Sequence, residues 1–380
     1  MNACVLCDAS LDSGMDSEEH VVINAIGGRH KVKGVLCVEC NNAAGSAWDS
    51  ALARDLHSLG LLIGVKRDRG GELPPLRVKN IDGEELLLHA DGSMSPARVK
   101  FSETADGSGI VKIQLVARTP AEVRKVLTGV KRKYPKFDLD LAIAQAEEQQ
   151  RYSESPLKFS MGFGGELSGR SLVKSVLCLA AANGVDPKTC QDARNYLLDP
   201  SGEACFGYWY ERDLLLDRPN DIPLHCVAVS SVSAEGQLLG YVEFFGVRRM
   251  VVRLAKVYSG PPVHAIYCID PRAAEQLTVQ LDLGLSLHEV EAAYDYQRIP
   301  DGAIEKAFDP ILRGALKRSH DLERTRAISR AIDYAFENSG VPMGELLTEE
   351  DAKRLSVLVA EQIRPYIEQV LARGRREDEP

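Results

Sequence analysis

"EEHVVINAIGGRHKVKGVLCVECNN", Glu18 to Asn42, sets an acid–histidine pair, a Gly-Gly step and a Cys-x-x-Cys-Asn-Asn run in one short span. A second Cys-x-x-Cys, Cys4 to Cys7, lies just upstream. Each such pair closes a tight knuckle. Two knuckles bring four thiolates to the corners of a tetrahedron, the geometry that Zn²⁺ takes. Cys4, Cys7, Cys37 and Cys40 are therefore expected to hold one zinc ion. A four-thiolate site leaves no open position for water or substrate, so this zinc is structural and any chemistry belongs to other residues. The other five of the nine cysteines, Cys178, Cys190, Cys205, Cys226 and Cys268, are scattered and read as reduced, mostly core residues.

Outward from the knuckles, Gly27-Gly28 reads as the turn joining two strands. After Cys40, Ala43, Ala44, Ala47, Trp48, Ala51, Leu52 and Leu56 recur at helical spacing, and Gly45 inside that run marks a break or a close approach.

The order of these residues resembles the HNH endonucleases, in the subgroup where two Cys-x-x-Cys pairs clamp a treble-clef-like ββα-metal fold. The matching positions are Cys4, Cys7, Glu19, His20, Gly27, Gly28, Cys37, Cys40, Asn41, Gly45 and Asp49. The likeness covers about the first 55 residues. It implies a metal-dependent nuclease hydrolysing DNA phosphodiester bonds. His20 would be the general base, and Glu19 and Asn41 would hold Mg²⁺ or Mn²⁺ through oxygen atoms. The unperturbed imidazole pKa, about 6.5, suits such a base. Modules of this kind joined to large accessory regions act in bacterial restriction, phage defence or mobile elements. Two positions depart from the pattern. Val32 stands where many members carry the asparagine that orients the histidine, leaving that task to a backbone carbonyl, His30 or Asn42. The acid is Glu where Asp is commoner.

The net charge of −9 argues against a broad DNA-binding surface and for a small local one. "RHKVK" supplies it beside the site, with Arg29, His30, Lys31 and Lys33 as expected nucleic-acid contacts; Arg124 to Lys136 forms a second basic stretch. The rival reading is a non-catalytic, zinc-stabilised DNA- or protein-binding module. RNA as substrate, a homo-oligomer, and a ligand or partner for the C-terminal region all stay open. With no membrane-length apolar run and no secretory signal, the chain is expected to be cytoplasmic and to have no membrane partner.

The fold class expected is α+β, the zinc module being followed by a mixed region with an antiparallel sheet and a helical C-terminus. Residues 1–60 form the module. Residues 61–152 read as a β-rich segment plus helices, with hairpin turns at Asp82-Gly83, Asp91-Gly92 and Asp106-Gly107 and a helix capped by Thr119 with Glu122. Residues 153–169 read as a linker or mobile loop. Residues 170–300 form an α+β domain whose four strand-like runs suggest an antiparallel meander. Residues 301–380 are helical by periodicity, with Thr348 as an N-cap and a solvated charged tail.

Overall fold

In the computed structural model, the Glu19–His20 and Lys31–Val32 strands pair antiparallel, Glu19 opposite Val32 and His20 opposite Lys31. The structure describes residues 3–377 except 13, 106, 108, 109, 148, 150, 154, 160, 163, 233, 234, 342, 343 and 345. The chain divides into two compact units, Met1–Pro74 with Ser160–Lys317 and Pro75–Phe159 with Arg318–Pro380. The zinc module and the 160–317 region thus share a unit.

The connection between the two short strands is longer than a hairpin turn. It contains a 3₁₀ turn, Asn24–Ile26, closed by Gly27 in the left-handed region at φ 95°. Gly28 then passes so close to the chain that a Cβ on it would lie 1.7 Å from the Val22 carbonyl oxygen. The two glycines have different tasks: one reverses the chain and the other lets it pass. The second knuckle opens a helix, Val38–Ala44, with Cys37 as its N-cap. Gly45 does mark a break, a π turn over Gly45–Asp49, before the helix resumes as Ser50–Ile63 and ends at Gly64.

That second helix packs on the Glu166–Ala182 helix, which is buried along almost its whole length. A helix buried on all sides needs apolar residues all round. "SLVKSVLCLAA" supplies them apart from two small serines and one charge, Lys174. The Glu166–Ala182 helix lies across an antiparallel sheet. At Gly240 the approach is so close that a Cβ there would meet Val176 Cγ1 at 2.2 Å. The sheet's other face carries an apolar cluster, with Trp209, Leu224, Cys226, Tyr241, Val251, Cys268, Leu285 and Val290 among its members.

The four expected strands are present as His225–Val232, Gln237–Phe244, Arg248–Ala255 and His264–Asp270. Their order is not a meander. The fourth returns to pair with the first, Cys226 opposite Cys268, so the spatial order is four-one-two-three, a Greek key. The connection before the fourth strand, 256–263, includes Gly260-Pro261-Pro262 and is long enough to cross back.

In the second unit, the Leu76–Asn80, Glu85–Leu88, Met94–Pro96 and Leu157–Lys158 strands form one sheet, and Lys100–Ala105 pairs with Val111–Val116. Turns fall at Asp82-Gly83 and Asp91-Gly92, with both glycines at positive φ; Asp106, of the third expected turn, lies outside the described residues. Thr119 caps the Pro120–Lys133 helix through Glu122 N–H, while the Glu122 carboxylate accepts from Arg118 N–H instead of closing a full capping box. Thr348 accepts from Asp351 N–H at the start of the Glu349–Glu377 helix. Among the described residues, no helix is long and apolar enough to cross a membrane.

Candidate active site and metal centre

The four knuckle cysteines converge, with their Sγ atoms all within 4.8 Å of one another. A tetrahedron with Zn–S bonds of about 2.3 Å has edges of about 3.8 Å, and Cys7 Sγ lies 3.7 Å from Cys37 Sγ. Backbone bonds set the knuckles: Asp8 N–H donates to the Cys4 carbonyl, Asn41 N–H to the Cys37 carbonyl, and Val5 N–H ties one knuckle to Val35. Burial, reinforced by the neighbouring sulfurs, pushes the Cys40 thiol far up. Four crowded thiols resist ionising together unless a cation joins them. The donors, their spacing and this crowding all fit a zinc ion.

Beyond the knuckles, successive strand residues face opposite ways. Glu19 turns inward, 4% exposed, and its carboxylate pairs with the Lys174 ammonium. Lys174 is wholly buried and also binds Asp49 Oδ2 at 2.7 Å, while Ser171 Oγ donates to Asp49 Oδ1 at 2.6 Å. Burial alone would discharge Lys174, but Asp49 and then Glu19 reverse this and hold its pKa up to about 12. Burial pushes the Glu19 carboxyl above its usual range, against the pull of Lys174. Two carboxylates against one ammonium leave an excess of one negative charge.

His20 turns the other way. Its ring Nε2 lies 3.3 Å from Asp68 Oδ2, and the side chain is 13% exposed. Burial depresses its pKa, with Lys31 and Arg69 helping and Asp68 opposing. The balance favours the neutral ring. With the Nε2 proton directed at Asp68, Nδ1 carries the lone pair. Asp68 is itself held, its N–H donating to Asn24 Oδ1 at 2.8 Å. The group on His20 is thus none of those the sequence suggested; an acid from the loop after the Ser50–Ile63 helix faces the ring.

Asn41 sits in the first helix after the knuckle. Its Nδ2 donates to Ser17 Oγ and to the Glu18 carbonyl, which docks it on the entry to the Glu19–His20 strand and leaves Oδ1 as its acceptor. A carboxylate and an amide oxygen are hard donors of the kind Mg²⁺ and Mn²⁺ take, and the excess negative charge favours a cation. Glu19 and Asn41 are donors of the kind such an ion takes, and the Glu19 Oε1 is occupied by Lys174. Of the expected nucleic-acid contacts, Lys31 pairs with Asp68 at 2.9 Å, Arg29 lies 3.8 Å from the same carboxylate, and Lys33 pairs with Glu18. The His30 ring packs on Tyr267, whose hydroxyl accepts from the Arg29 and His30 N–H groups.

Residues 4–57 match a family model described as HNH endonuclease. No curated protein and no solved structure matches the chain. The family match supports a nuclease-type function at the level of the family and, with it, nucleic-acid binding. Asp68 and Lys174 lie beyond the matched segment. Lys174 left a signal in the sequence, the one charge in the apolar run 171–182, because lysine is almost never fully buried without a partner. Asp68 left none, as an acid in "KRDRGG" looks like any solvated loop residue.

Proposed function

We propose that this protein is a metal-dependent HNH-type nuclease that hydrolyses DNA phosphodiester bonds. His20 is the general base: Nδ1 takes a proton from the attacking water, and Asp68 steadies the imidazolium that forms. Glu19 and Asn41 would hold the divalent ion, Mg²⁺ or Mn²⁺. When bound, that ion supplies charge stabilisation at the phosphate and the leaving oxygen. Arg29, His30, Lys31 and Lys33 steer the phosphate backbone toward His20. The single observation that carries the reading is the His20 ring, inside the matched motif, held by Asp68. A bacterial restriction or phage-defence role in the cytoplasm is part of the proposal.

The ion pair on Glu19 favours the rival, a zinc-stabilised docking module without turnover. Incubating the zinc-loaded chain with supercoiled DNA, and separately with RNA, with and without Mg²⁺ or Mn²⁺ separates the two. Divalent-dependent nicking of DNA is expected; binding without nicking under every condition would leave the docking module.

A further inference from the structure

Lys174 has no part in the chemistry above, yet it is a wholly buried cation in contact with an expected metal ligand. It arrives from the Glu166–Ala182 helix, far in sequence from the motif. Its two partners are held differently. Asp49 has both oxygens engaged, one by Lys174 and one by Ser171, and so anchors the ammonium. Glu19 gives Lys174 its Oε1. A divalent ion on Glu19 would stand beside a charge that cannot retreat to water, and like charges at such range repel strongly where screening is weak.

We propose that Lys174 is a resident cation that competes with the divalent ion for Glu19 and keeps the metal affinity of the site low. The inference rests on the assignment of Glu19 as a metal ligand. It adds a restraint built into the fold: the site fills only when divalent ion is plentiful, or when a bound phosphate adds negative charge that offsets the ammonium.

The test is Mn²⁺ binding to the zinc-loaded full chain without nucleic acid, followed by electron paramagnetic resonance. Lys174→Met should bind one Mn²⁺ about tenfold or more tightly than the native chain. Adding Glu19→Gln should abolish the gain, and Lys174→Arg, which keeps the charge, should stay near native affinity. Lys174→Gln, which can still donate a hydrogen bond, covers the case in which methionine fails to fold; it should show the same tightening, with a larger rise in melting temperature on adding Mn²⁺ than the native chain shows. A merely structural lysine predicts weaker binding on its loss. Unchanged or weaker Mn²⁺ affinity in the neutral variants, or a gain that survives Glu19→Gln, overturns the proposal. Cleavage does not enter this readout, so a chain that binds Mn²⁺ as described but cuts nothing contradicts the nuclease reading alone.

Discussion

In the proposed site, Asp68 would do for His20 what the asparagine missing at Val32 does elsewhere in the family pattern, but from another part of the chain. Asp68→Ala should lower kcat about 10- to 100-fold with little change in KM, since it acts on the base and not on substrate binding. Asp68→Asn, which can still accept the Nε2 proton through its amide oxygen, should recover part of that loss. The ¹⁵N shifts of the His20 ring should move from one tautomer in the native chain to a mixture in Asp68→Ala. An unchanged ring signature and native kcat would remove Asp68 from the site. This residue also marks the limit of the sequence reading. The four cysteines were legible, and Glu19, His20 and Asn41 stood out as candidates, because their spacing along the chain is itself the signal. Asp68 was not, because only the packing of the loop on Asn24 brings it to the ring.

Among the elements, His225 joins the motif's connecting loop to the large sheet. Its Nε2–H donates to the Ile26 carbonyl at 2.8 Å, and its Nδ1 accepts from Phe245 N–H at 3.2 Å. The second bond needs Nδ1 unprotonated, and complete burial depresses the ring's pKa to about 4 although the Ile26 bond favours the charged form. The unfolded chain, with a histidine near 6.5, therefore takes up the proton first. Stability is unaffected above about pH 7 and falls as the pH drops from 6.5 to 4, by about 3 kcal/mol from this one group. His225→Gln can make both bonds without titrating. Denaturation from pH 7 to 4 should show a shallower loss in that variant, and zinc release, common to both proteins, cancels in the difference. Equal slopes would deny His225 this role. At this scale the sequence placed the strands well but not their order. Periodicity reports which face of a strand is buried, whereas the return of His264–Asp270 beside His225–Val232 is decided by how far the preceding loop can reach.

For the whole molecule, the net charge of −9 and the pairing of Lys31 with Asp68 and Lys33 with Glu18 limit how many phosphates the chain can hold. Each phosphate contact adds about 0.9 to the slope of log affinity against log salt. A slope of about 2 to 4 is expected for DNA, and one near 10 would require a second, extended basic surface. The motif is also less self-contained than a match over residues 4–57 suggests: Glu19 and Asp49 lean on Lys174, and the Ile26 carbonyl leans on His225. Residues 1–60 expressed alone should bind zinc yet melt without a cooperative transition. The sequence signalled that module without showing that its acid–histidine strand rests on a helix, and the loop after it on a sheet, more than a hundred residues away.

The central claim is that His20 is the base of a hydrolytic site, and single-turnover cleavage of supercoiled DNA by the native chain and by His20→Ala tests it most directly. The comparison uses matched zinc content, matched melting temperature and saturating Mn²⁺. A native chain that nicks DNA, with the variant slower by about 10² to 10⁴, is the predicted result. Cleavage at equal rates by both, or none by a native chain that carries its zinc and its divalent ion, would contradict it.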